Sequence, residues 1–101
     1  MADSRCTKLI LSDTPATVVL EMRSLDGTLL RLVNQRAALA LLIGRIKTRR
    51  KWPVFDAQRE AFVLRRVMRA NRGPLSDRAV ARIFHAILGE CRRRERSVTE
   101  Q

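Results

Sequence analysis

Apolar residues recur in the first half of the chain at alternating spacings of three and four, as one face of a helix requires. The stripe consists of Met22, Leu25, Leu29, Leu32, Leu39, Ile43 and Ile46. Thr14 followed by Pro15 predicts the start of this helix, because threonine caps free amides and proline fits the first helical position. Pro53 disfavours helix in the residue before it, so we expect the helix to end near Thr48.

Two shorter stripes follow this long helix. Asp56 predicts the N-cap of a second helix, whose apolar face is formed by Val63, Leu64, Val67 and Met68. Ser76 predicts the cap of a third helix, with a stripe of Val80, Ile83, Phe84, Ile87, Leu88 and Cys91. No segment alternates like a strand. The pattern predicts an all-α fold with a loose extension over residues 1–13 and one helical domain over residues 14–101.

Arg36 interrupts the long apolar stripe. Ala40, Gly44 and Lys47 follow it at one, two and three turns on the same side of the helix. Two cations about 16 Å apart at helical rise, with small residues between them, predict a pocket for a compact dianion. The alternative interpretation is that Arg36 extends out to solvent and Lys47 is the solvated end of the helix.

The lengths of the helices bear on assembly. A first helix about 50 Å long outreaches two partners of half its length, so a monomer would leave part of its apolar stripe exposed. A two-fold homodimer in which the long helices pair is the simplest arrangement that covers it. Such a dimer lets one subunit contribute to the other's pocket.

Composition limits the class of protein. The 101 residues suffice for one domain, and 46% are hydrophobic, which is enough for a packed core. The formal net charge of +11 suits a polyanion, a membrane surface or small acidic substrates. Cys6 and Cys91 are far apart without neighbouring metal ligands, so neither a zinc site nor a disulfide framework is predicted. No signal peptide or membrane span is apparent, and we expect a cytoplasmic protein.

Two further groups of residues are candidates for chemistry. Asp56, Arg59 and Glu60 fall on one helical face and can converge on a hydroxyl or carboxylate, although a cap with a surface ion pair is the alternative. Glu95 follows Cys91 by four residues and therefore extends the apolar stripe of the third helix. Its alternative interpretation is a frayed, charged C-terminus.

Four segments of the chain resemble the all-α class of chorismate mutases, in the bacterial, monofunctional type. The match runs in order and spacing from about Leu20 to Glu95, and the segments that carry it are residues 29–36, 43–47, 53–60 and 82–88. The resemblance implies an intertwined homodimer of three-helix subunits. It also implies conversion of chorismate to prephenate in phenylalanine and tyrosine biosynthesis, by a Claisen rearrangement without metal or organic cofactor.

The resemblance assigns roles to the charged residues. It implies that Arg36 and Lys47 bind substrate carboxylates, and that Lys47 also reaches the ether oxygen whose bond breaks. Glu95 falls where the family carries glutamine or glutamate facing that oxygen. A glutamate can donate a hydrogen bond there only when protonated, so turnover should fall with rising pH.

The second helix matches the family pattern, whereas two other positions of the chain differ from it. Asp56, Arg59 and Glu60 match the family's substrate-binding residues, and Glu60 is the one expected to hold the ring hydroxyl. The family's small hydroxyl residue falls at Cys91, a weaker hydrogen-bond partner. Its first-helix arginine, which reaches the partner's site, falls at Val19.

Arg23 lies one turn after Val19 and can substitute for the missing arginine. Losing a charge-assisted contact to a dianion is expected to lower activity.

Three other functions remain open from the sequence. The same fold can act on isochorismate as a pyruvate lyase, or on an amino analogue of chorismate. A degraded mutase can regulate or dock onto another enzyme of aromatic biosynthesis. Nucleic-acid binding through the cluster Arg45–Lys51 is the least favoured, because one tryptophan and no tyrosine are available for stacking.

Overall fold

The computed structural model describes residues 14–99, which form three helices. Helix α1 spans Pro15–Arg50, α2 spans Ala57–Ala70 and α3 spans Asp77–Thr99. No strand occurs within residues 14–99, so the predicted all-α class is confirmed. None of these helices combines the length and apolar character needed to cross a membrane. The predicted loose extension, residues 1–13 with Cys6, lies outside the described residues.

The ends of the helices follow from local capping. The Thr14 hydroxyl accepts a hydrogen bond from the Thr17 amide at 3.1 Å, as its predicted capping role requires. The carboxylate of Asp56 accepts from the Arg59 amide at 3.0 Å, and the Ser76 hydroxyl accepts from the Ala79 amide at 3.1 Å. Both predicted caps of the shorter helices are confirmed.

Helix α1 ends two residues later than the sequence predicts. Its last carbonyls are satisfied when the Trp52 amide donates to the Lys47 carbonyl at 2.8 Å and the Lys51 amide donates to the Thr48 carbonyl at 3.3 Å. This paired arrangement requires a left-handed residue, which is Lys51 with a φ of 57°. Pro53 acts beyond the turn, so the closing hydrogen bonds rather than the proline fix the last helical residue.

Within the described residues the chain divides into two compact units, residues 14–33 and residues 34–99. In the first unit the structure describes the N-terminal part of α1. Its apolar positions Met22, Leu25, Leu29 and Leu32, here called the N-terminal stripe, are each between 50% and 59% exposed. Apolar side chains in such a continuous row usually mark an interface.

The second unit contains the C-terminal part of α1 together with α2 and α3. Its buried apolar residues are Ala40, Leu88 and Cys91, each between 5% and 7% exposed. Gly44 of α1 is also buried, because the backbone of α3 passes directly over it. An added Cβ at Gly44 would lie 2.8 Å from the carbonyl oxygen of Glu95 and 2.9 Å from its Cα. This contact fixes the position of Glu95 relative to α1.

Candidate active site

The second unit contains a cavity of about 230 Å³ between α1, the segment before α2, and the end of α3. Its volume is below the roughly 300 Å³ at which pockets for drug-sized ligands begin, so it suits a compact ligand. The charged residues that line it are Arg36, Lys47, Asp56, Arg59, Glu60, Arg92 and Glu95. The remaining lining residues are Leu39, Ala40, Ile43, Val54, Leu88 and Cys91.

Lys47 and Glu95 form an ion pair within the cavity. The Lys47 Nζ lies 3.0 Å from Glu95 Oε1, and both side chains are only 14% exposed. The same Nζ donates to the backbone carbonyl of Val54 at 2.8 Å. An ammonium has three donors, so two of them are used on the protein and one is left for a ligand.

Arg92 and Glu60 form a second ion pair. A single nitrogen of Arg92, Nη1, lies 2.6 Å from both carboxylate oxygens of Glu60. The guanidinium carbon of Arg92 also lies 4.9 Å from the centre of the Phe55 ring, within cation–π distance. The carboxylate of Glu60 is therefore held by a guanidinium that is itself stacked on an aromatic ring.

Two other cations of the cavity are not neutralised. Within residues 14–99, the guanidinium groups of Arg36 and Arg59 form no ion pair or hydrogen bond. The nearby Asp56 uses one carboxylate oxygen to cap α2. An incoming anion would consequently meet two free guanidinium groups, each able to bind a carboxylate in bidentate fashion.

The charged residues of the cavity all lie within a region that matches a known protein family. The sequence model of the family described as chorismate mutase type II matches residues 19–96, which include every residue that lines the cavity. The chain belongs to the chorismate mutase type II family. The family predicted from the sequence resemblance is therefore confirmed.

Curated relatives of the chain are bifunctional chorismate mutase/prephenate dehydratases. The protein of Neisseria gonorrhoeae is 42% identical over 76 residues, which cover 75% of this chain and 20% of the relative. That of Pseudomonas aeruginosa is 42% identical over 77 residues, covering 71% and 21%. That of Aquifex aeolicus is 30% identical over 82 residues, covering 77% and 23%. The chain thus spans about a fifth of the length of these relatives, and no solved structure matches it.

The cavity brings together seven of the eight residues selected from the sequence by their patterns and by resemblance to chorismate mutases. These are Arg36, Lys47, Asp56, Arg59, Glu60, Cys91 and Glu95. The eighth, Arg23, lies in the first unit on the exposed surface of α1 and does not line the cavity. The side chain of Glu95 is ion-paired and only 14% exposed within a helix that continues to Thr99, so its alternative interpretation as part of a frayed terminus is wrong.

The sequence pattern did not single out Arg92, which lies in a run of basic residues near the end of α3. Its spacing nevertheless indicates an inward position, because Arg92 follows the buried Leu88 by four residues and therefore lies on the same face of α3. The pairing with Glu60 and Phe55 depends on the packing of α3 against α2 and could not be read from that spacing. The role assigned to Gly44 also needs correction, because α3 fills the space above it instead of leaving a gap for ligand.

Replacing Gly44 with alanine is expected to destabilise this chorismate mutase family member by about 1–3 kcal/mol, because the new methyl group overlaps the α3 backbone at Glu95. Chemical unfolding followed by circular dichroism measures the change. Gly27→Ala is the matched control: its Cβ meets no described atom within 4 Å, so helix propensity should raise stability by roughly 0.5–1 kcal/mol. Equal stabilisation by both substitutions would contradict the close approach of α3 to Gly44.

Proposed function

We propose that the chain is a chorismate mutase that converts chorismate to prephenate in aromatic amino acid biosynthesis. The observation that carries this proposal is the cavity in which two free guanidinium groups lie beside the Lys47–Glu95 pair. Chorismate is a compact dianion, and the curated relatives are named for mutase activity on it. The family and the charge of the site therefore support the same substrate.

The proposed mechanism needs neither a nucleophile nor a cofactor. A pericyclic rearrangement proceeds when the protein holds the folded reactive conformer and stabilises charge that builds on the ether oxygen. Arg36 binds one carboxylate, and the single remaining N–H of Lys47 is shared between the second carboxylate and the ether oxygen. Because Lys47 is already fixed by Glu95 and Val54, little reorganisation is required when that charge develops.

The other end of the cavity recognises the ring of the substrate. Glu60 accepts a hydrogen bond from the ring hydroxyl, while Arg59 and Asp56 complete the binding surface at the start of α2. Cys91 lies at the wall, 5% exposed, where its thiol can offer only a weak hydrogen bond. These contacts distinguish chorismate from anions of similar size without a ring hydroxyl.

A homodimer is part of the proposal. The N-terminal stripe of α1 is exposed in the single chain, and Leu39 on the cavity wall is 61% exposed. A second copy whose long helix covers these residues would bury apolar surface and close the site. It would also bring Arg23 of one subunit towards the site of the other.

The expectations about the number of activities, the partners and the location of the protein stay predictions. The resemblance predicted a monofunctional type, whereas the curated relatives are bifunctional. Docking onto another enzyme of aromatic biosynthesis is a further prediction. A cytoplasmic location agrees with the free thiol of Cys91, which a reducing compartment preserves.

The decisive experiment incubates the purified chain with chorismate, follows its loss, and identifies the product by nuclear magnetic resonance. Prephenate formation is the expected result. Release of pyruvate would instead identify a lyase on this fold. No loss of chorismate above the uncatalysed rate would favour the regulatory or docking alternative.

Replacing Glu95 with glutamine is expected to flatten the pH dependence of turnover. In the unliganded chain the Glu95 carboxylate accepts from Lys47, and it can donate a hydrogen bond to the ether oxygen only after it takes up a proton, so a donor role for Glu95 requires that turnover by the native chain fall as pH rises. Glutamine donates at every pH. The measurement is kcat/KM across the pH range in which both proteins stay folded.

Glu90→Gln makes the same chemical change on α3 at a side chain 68% exposed, outside the cavity, and should keep the native profile. An unchanged profile in Glu95→Gln would remove Glu95 from the mechanism.

A further inference from the structure

The Arg92–Glu60 pair differs from the Arg93–Glu90 pair, which also joins an arginine of α3 to a glutamate. Arg93 and Glu90 lie 3.1 Å apart on one exposed helix face, with side chains 70% and 68% exposed, so solvent screens their attraction. Arg92 and Glu60 join two helices across the cavity, with side chains 24% and 21% exposed. The second pair therefore contributes to the charge that a ligand meets around Glu60.

Arg92 is held in place from more than one side. Phe55 stacks against its guanidinium carbon, and Nη2 lies close to the α3 backbone at Gly89, where an added Cβ would be in ordinary van der Waals contact with it at 3.9 Å. Nη1 is thereby directed at Glu60 and reaches both of its oxygens. A guanidinium fixed in this way fixes the carboxylate in turn.

The charge of Arg92 also changes what Glu60 can bind. A solitary carboxylate in a half-buried site attracts an ammonium more strongly than a hydroxyl. With Arg92 already neutralising it, Glu60 still has lone pairs to accept a hydrogen bond from a hydroxyl. An ammonium at the same place would lie close to the guanidinium and be repelled.

We propose that Arg92 is a positioning residue that aims Glu60 at the ring substituent of the substrate and makes the site select a hydroxyl over an ammonium. This inference rests on the proposed function, because it takes chorismate as the hydroxylated ligand. Arg92 acts through Glu60 and through its own positive charge. The ratio of kcat/KM for chorismate to kcat/KM for its 4-amino-4-deoxy analogue measures the selection.

The test compares Arg92→Leu, Arg92→Lys and Arg93→Leu with the native chain. Arg92→Leu removes the charge while keeping an apolar side chain against Phe55, and we expect the ratio to fall at least tenfold. Arg92→Lys keeps the charge and should retain most of the selection. Arg93→Leu removes the same charge from the neighbouring exposed position and should leave the ratio unchanged.

Thermal unfolding of each variant separates selection from a general structural role. If Arg92 only stabilised the fold, Arg92→Leu would lower kcat/KM for both compounds equally and leave the ratio at its native value. That result would overturn the inference. A ratio that falls equally in Arg92→Lys would also overturn it, because the positive charge would not be the cause.

Equilibrium binding of the two compounds, measured by calorimetry, distinguishes this inference from the proposed function. If the native chain binds chorismate more tightly than the amino analogue but turns over neither, the mutase proposal fails. The inference about Arg92 then stands if Arg92→Leu reverses or abolishes that preference, and fails if it does not. If the native chain binds neither compound, both proposals are overturned.

Discussion

Replacing Lys47 with alanine is expected to lower kcat/KM for chorismate by about three orders of magnitude, which corresponds to about 4 kcal/mol of transition-state stabilisation. The substitution removes the one cation proposed to contact both a substrate carboxylate and the ether oxygen. It also leaves Glu95, which is 14% exposed, without its partner at 3.0 Å. A carboxylate that has lost its cation would repel the dianion that the site is meant to hold.

Arg49→Ala is the matched control for this substitution, because it removes one positive charge from the last turn of α1 at an exposed position outside the cavity. The control should keep activity close to that of the native chain. Equal losses in the two variants would mean that the net charge of the protein, rather than a contact of Lys47, attracts the substrate. Slow turnover that Lys47→Ala leaves untouched would indicate a contaminating enzyme.

Replacing Val19 with arginine is expected to raise kcat/KM by about tenfold to a hundredfold. The resemblance implies that an arginine at this place reaches a carboxylate in the partner's site, and a hydrogen bond to a charged group contributes about 1.5–3 kcal/mol. Val19 is 50% exposed on α1, so the longer side chain requires no repacking within the described chain. Steady-state kinetics with chorismate measure the gain.

Arg23→Ala is the companion variant that separates two explanations. If Val19→Arg has no effect while Arg23→Ala abolishes turnover, Arg23 already supplies the contact from one turn further along α1. Sedimentation of the native chain should give twice its mass of 11.6 kDa. Full turnover by a species sedimenting as a monomer would contradict any contribution from a partner's α1.

The helices could be predicted from the sequence because their signals are local. Asp56 and Ser76 each satisfy an amide three residues ahead, a relation that depends on nothing outside the first turn. The last residue of α1 was predicted less well, since its closing hydrogen bonds require Lys51 in the left-handed region. Lysine gives no sign of adopting that conformation, which glycine or asparagine would have signalled.

The site was predicted where spacing along one helix was sufficient, and less well where helices meet. Arg36 and Lys47 share a face of α1, so their convergence on one cavity follows from helical periodicity. The contact between Arg92 and Glu60 depends on how α3 lies against α2, which no single periodicity encodes. The close approach of α3 to Gly44 likewise depends on how the helices pack and could not be predicted from the sequence of either helix alone.

The two hydrogen bonds of the Lys47 ammonium have a thermodynamic consequence. A free lysine side chain carries about 2 kcal/mol of rotamer entropy, which is lost when a flexible arm is ordered around a ligand. Here Val54 and Glu95 already restrict that arm in the unliganded protein. The rotamer entropy of Lys47 is therefore lost during folding. Binding of a ligand then does not have to order this side chain again.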